Sequence, residues 1–141
     1  MRCELREDKL KHLEFIQNVI SRMNANSFLI KGWMVTLVSA LFALAAGGSD
    51  ARYVIVIYIA IPAFWGLDAF YLSQERQYRR LYDAVREQAS TDFSMDVSSL
   101  NSGRDSWFCA LFSKTVITLY LFVLVVAILA MFWLWQHPAT R

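Results

Sequence analysis

The chain has 141 residues, is 57% hydrophobic with a mean hydropathy of +0.35, and carries a formal net charge of +2. That composition leaves room for one domain and is too apolar for an ordinary soluble domain of this size. Its two cysteines, Cys3 and Cys109, offer no metal-ligand spacing.

The charges are bunched. Arg2, Arg6, Lys9, Lys11, Arg22 and Lys31 precede or open the first apolar run, and Arg76, Arg79, Arg80, Arg86, Arg104 and Lys114 lie between the second and third. The positive-inside rule puts both basic segments on the cytoplasmic side, with the N-terminus inside and the C-terminus outside. Both cysteines then face a reducing compartment.

Residues 5–23 place Leu10, Leu13, Ile16, Ile20 and Met23 at three- and four-residue steps opposite charged positions, predicting an amphipathic cytoplasmic helix. Its start mixes both signs of charge, which favours packing against protein over adhesion to anionic lipid. Asn24 to Ser27 predicts a break, with Asn26 or Ser27 capping the first span, 28–46. Ala43-Leu44-Ala45 has a small-residue cleavage pattern, but the long charged segment before the span argues against a secretory signal.

Gly47 to Arg52 reads as a short external link. The second span, 53–72, contains Pro62, which predicts a kink and an unpaired carbonyl at Tyr58. After Asp68 no Gly or Pro interrupts the sequence until Gly103, so the helix is expected to run on as a cytoplasmic extension over 73–89. Tyr71, Tyr78, Tyr82, Val85 and Ala89, with Leu81 adjoining, make a stripe for the N-terminal helix or a neighbouring subunit. Residues 90–106 are rich in Ser, Asp, Asn and Gly and read as an aperiodic, mobile polar loop. The third span covers 113–135. The expected fold is an all-α membrane protein with three transmembrane helices.

Asp68 is the most informative polar residue, because an ionised carboxylate inside hydrocarbon needs a partner or water. Lys31 falls at the same predicted depth. An Asp68–Lys31 ion pair, within one subunit or across an interface, is the leading expectation; the alternative puts Asp68 among the headgroups. Arg76, Arg79, Arg80 and Arg86 have the charge to bind nucleic acid, acidic headgroups or a nucleotide signal, but Glu75, Asp83 and Glu87 are interleaved with them. They read chiefly as a solvated basic face, with no direct nucleic-acid contact expected. Arg6 and His12 match only the spacing of the arginine–histidine pair of HEPN-type ribonucleases. No nucleophile–base set, Gly-rich phosphate loop or metal cluster stands out, so no enzyme activity and no cofactor are expected.

Trp65 to Arg86, with Ile20-Ser21-Arg22-Met23 and Lys31-Gly32-Trp33, resembles the RipA-like family of small octameric bacterial membrane proteins. It is also similar to SLATT-type effectors of phage defence and to the membrane accessory of type VI CRISPR nucleases. The resemblance implies a ring of identical subunits in the bacterial inner membrane. It aligns Asp68, Tyr71, Gln74, Glu75, Arg76, Tyr78, Arg79, Leu81 and Tyr82 with recurrent family positions. A ring-forming pore or permeabilising effector is the first functional expectation. A non-conducting scaffold or regulator that docks a cytoplasmic protein, or answers a nucleotide signal, is the alternative. Thr36, Ser39, Thr115, Thr118 and Tyr120 are the few polar positions in the first and third spans, so any pore would be mostly apolar and gate by dewetting.

Overall fold

The computed structural model describes residues 2–47, 52–89, 91–98, 103 and 106–136. Regular structure among them is α-helical: α1 is Arg2–Ala46, α2 Arg52–Glu87, α3 Trp107–Leu111 and α4 Lys114–Gln136. Three of these helices are long and apolar enough to cross a membrane. Crossing a hydrocarbon core takes roughly 20 helical residues. The 23 residues of α4 supply little more than that, whereas α1 has 45 and α2 has 36. The surplus in both long helices is the charged part of the sequence.

The expected break at Asn24–Ser27 does not occur, since α1 is helical throughout. Asn and Ser each cost only about 0.5–0.7 kcal/mol relative to Ala in a helix interior, too little to stop a helix already formed on both sides. With no free helix end there, Asn26 and Ser27 have no cap to make. Ser27 is instead buried. α2 likewise continues through Pro62, forfeiting one main-chain bond rather than ending. The external link, Gly47–Arg52, lies largely outside the described residues, as do much of 99–106 and the tail after Gln136.

The chain divides into two compact units, Met1–Ser27 with Ala69–Ala110, and Phe28–Asp68 with Leu111–Arg141. In the first, here the charged unit, Ile16, Ile20, Leu81 and Val85 form the core, with Leu13, Tyr78, Tyr82, Met95 and Val97 packed around it. Ile16 and Ile20, like Leu81 and Val85, are one turn apart, so each helix contributes a single row. Tyr78, Leu81, Tyr82 and Val85 of the predicted stripe take part in this core. Tyr71 is half-buried with its ring edge-on to Phe70 at 5.7 Å, and Ala89 is exposed beyond the end of α2.

Lys9 closes that end, its Nζ donating to the carbonyls of Arg86 at 2.8 Å and Gln88 at 2.6 Å. A cation at a helix C-terminus satisfies carbonyls that have no intrahelical partner and opposes the helix dipole.

Residues 91–97 are not aperiodic. Met95 and Val97 turn toward the core while Asp92, Ser94 and Asp96 are exposed, a period-two strap laid along the helix pair.

In the second, the span unit, the buried rows are Met34 and Val38, Ile57 and Ile61, and Val116, Tyr120 and Ala127. Large apolar side chains such as Phe28, Trp33, Ile59, Phe122 and Leu129 point outward. Trp65 donates from Nε1 to the Leu111 carbonyl at 3.0 Å and stacks on Tyr120 with ring centroids 6.2 Å apart. The Tyr120 hydroxyl donates to the Phe64 carbonyl at 3.2 Å. These two ring donors tie the end of α3 and the first half of α4 to α2 within the unit.

Candidate functional site

Asp68 lies in α2 with a side chain that is 0% exposed, and Lys31 lies in α1 at 25%. Lys31 Nζ donates to Asp68 Oδ1 at 2.6 Å, a charge-assisted bond at the short end of the normal range. The structure brings the pair together within one chain. The Tyr120 hydroxyl is close enough to interact with the same carboxylate. An isolated carboxylate in hydrocarbon is heavily penalised, and a paired one much less so. Three helices therefore meet at one polar point inside an otherwise apolar unit.

Two further hydroxyls of the spans turn onto their own backbones. Thr36 Oγ1 donates to the Gly32 carbonyl at 2.9 Å and Thr118 Oγ1 to the Lys114 carbonyl at 2.7 Å. The Tyr58 hydroxyl reaches Met131 Sδ at 3.6 Å.

Among the described basic residues of the charged unit, Arg79 and Arg86 pair with acids on their own helix. Arg79 forms a two-point pair with Glu75 one turn before it, Nη2 to Oε1 at 2.7 Å and Nε to Oε1 at 2.8 Å. Arg86 sits 3.7 Å from Asp83. Arg76 and Arg80 are half-buried and each has a partner. Exposed pairs at this spacing stabilise a helix by about 0.3–0.5 kcal/mol and leave a face with both signs of charge.

His12, by contrast, is 0% exposed. Its Nε2 donates to the Ser94 carbonyl at 3.0 Å, its Nδ1 is bonded to the Thr91 hydroxyl, and its ring packs on Phe93 with centroids 5.4 Å apart. Both ring nitrogens are engaged by the strap, so the Arg6–His12 spacing does not present an available base. Sequence reasoning passed over His12 and Lys9 as partners of residues about eighty positions away. The visible signals were the alternation Phe93-Ser94-Met95-Asp96-Val97 and the place of His12 one turn before Ile16 on the same helix face.

Among the described residues no group of three or more His, Cys, Asp or Glu is arranged to hold a metal ion. Cys109 is exposed, with its thiol 3.4 Å from the Gly103 carbonyl, and the Cys3 side chain lies outside what the structure describes. No family model matches the chain, and no curated protein or solved structure is detectably similar to it.

Proposed function

We propose that the chain is a self-associating anchor of the bacterial inner membrane whose charged unit docks or senses a cytoplasmic partner, and whose spans do not form an aqueous path. One observation carries this reading. The polar side chains of the span unit with identified bonds are spent inside it, Lys31 on Asp68, Trp65 and Tyr120 on carbonyls of neighbouring helices, Thr36 and Thr118 on their own. Among the described residues the outward faces are mostly apolar, with Thr36, Ser39, Thr115 and Thr118 as small polar exceptions. The placement of twelve of the fourteen basic residues at 1–31 and 73–114 supports a cytoplasmic charged unit and an external C-terminus.

The ring-forming pore or permeabilising effector of phage defence is the second reading. It draws on the resemblance of Trp65–Arg86 to the octameric RipA-like proteins, and on Gly32, beside which a Cβ would meet nothing within 4 Å. An open glycine in a span lets another helix approach closely, which a cyclic assembly of short chains requires.

Purified protein reconstituted in liposomes loaded with potassium and with calcein separates the two. The anchor reading expects efflux no faster than from empty vesicles while crosslinking in the same vesicles yields oligomers. Efflux that rises with the number of copies per vesicle would replace it with the pore.

A further inference from the structure

We infer that residues 91–97 are a releasable strap over the apolar row of the charged unit, and that His12 is the latch that holds it. The strap makes its own main-chain bonds. Phe93 N–H donates to Thr91 Oγ1 at 3.3 Å, Ser94 N–H to Asp92 Oδ1 at 3.0 Å, Asp96 N–H to Ser94 Oγ at 3.4 Å, and Ser98 N–H to Asp96 Oδ1 at 2.8 Å. Each is a side chain accepting from the amide two residues on, a local turn that replaces the ladder an extended segment usually needs. Among the described residues no bond between main-chain atoms joins 91–98 to a helix. Lifting the strap therefore leaves these amides paired.

What does hold it down is confined to a few side chains. Met95 and Val97 pack on the row made by Ile16, Ile20, Leu81 and Val85. His12 contributes the polar part, gripping Thr91 through Nδ1 and the Ser94 carbonyl through Nε2. A fully buried imidazole is justified only while both nitrogens have partners, so the bonds and the burial stand or fall together.

The strap is also strained where it is gripped. Phe93 has φ of 57°, in the left-handed region that bulky side chains avoid, and its ring is the one packed at a tilt against His12. Release lets that residue relax, which favours opening. A segment with four locally bonded amides, one strained residue and a single polar grip is built to leave as a unit. Its departure uncovers the apolar row between the helices without unfolding them, and this holds whether or not the spans conduct.

The test is thiol accessibility of the full chain in membranes, with Cys3 and Cys109 replaced by Ser. Met95→Cys reports the strap, and Ser73→Cys, at a buried position of α2, reports the helix pair. The inference expects maleimide to modify residue 95 at least about tenfold faster than residue 73, yet well below the rate of a free thiol. His12→Leu, and independently Thr91→Val, which leaves the helices untouched, should each raise the rate at 95 about tenfold or more with residue 73 unchanged. Equal slow rates at 95 and 73 in the parent would overturn release. So would rates at 95 within about twofold of the parent in both variants, or acceleration at 73 in step with 95.

Discussion

In the span unit Lys31 and Asp68 meet inside, 2.6 Å apart, while Phe28, Trp33, Ile59 and Phe122 face outward. In the charged unit Ile16, Ile20, Leu81 and Val85 are inside, while the Glu75–Arg79 and Asp83–Arg86 pairs lie along the surface. The same two helices, α1 and α2, supply both units, so the inversion occurs within continuous helices and owes nothing to a change of secondary structure. It reflects the solvent. Where water is present, apolar burial drives packing at roughly 25 cal/mol per Å². Where lipid replaces water that force is absent between helices, and close packing and a few polar bonds hold the spans together.

The comparison breaks most visibly at Asp68. Asp68→Ala breaks the buried pair with Lys31 and should cost about 3–5 kcal/mol, read as a lower midpoint of detergent or heat unfolding in nanodiscs. An equal loss at an exposed charge such as Glu14 would show that charge removal in general, rather than the buried pair, sets stability.

Next in size is Ile16→Ala in the charged unit, expected to cost about 2–4 kcal/mol by leaving a cavity. Phe15→Ala, adjacent in sequence but 55% exposed, should change stability by no more than about 0.5 kcal/mol. If Phe15 mattered as much as Ile16, the buried face of this half of α1 would be misassigned. Lys9→Met comes third. It removes the bonds to the carbonyls of Arg86 in the last turn of α2 and of Gln88 just beyond it and should cost about 1 kcal/mol, with hydrogen exchange increasing first in the last turn of that helix.

The smallest effect concerns pH. The Ser98 hydroxyl and amide bonded to Asp96 hold its carboxyl below the usual range. A depressed native value means the contribution is present above the unfolded value, near pH 4, and fades as pH falls through the lower native value. The Ser98 amide should therefore stay protected from exchange at pH 5 to 7 and lose that protection only in stronger acid. Loss of protection between pH 6 and 5 would contradict the assignment.

How much of this could be read beforehand follows the reach of each interaction. The spans and the depth match of Lys31 with Asp68 were legible, because hydropathy and cost of burial act residue by residue. The continuity of α1 through Asn24–Ser27 was not, since weak local preferences for a cap lose to helix already in place on both sides. The strap was missed for a different reason. Its polar residues, Thr91, Asp92, Ser94 and Asp96, looked like loop composition, yet they serve as acceptors for its own amides, while Met95 and Val97 gain their meaning only against Ile16 and Val85. Lys9 and His12 read as surface charge and chance spacing until the far end of α2 and the strap are beside them.

The central polar link between the spans is the Lys31–Asp68 pair. A double-mutant cycle with Lys31→Met, Asp68→Leu and the pair of substitutions together, measured by unfolding in nanodiscs, reads it directly. The account predicts a coupling of about 2 kcal/mol or more, with the double variant clearly more stable than Asp68→Leu alone. A coupling below about 0.5 kcal/mol, the value of a pair screened by water, would contradict it.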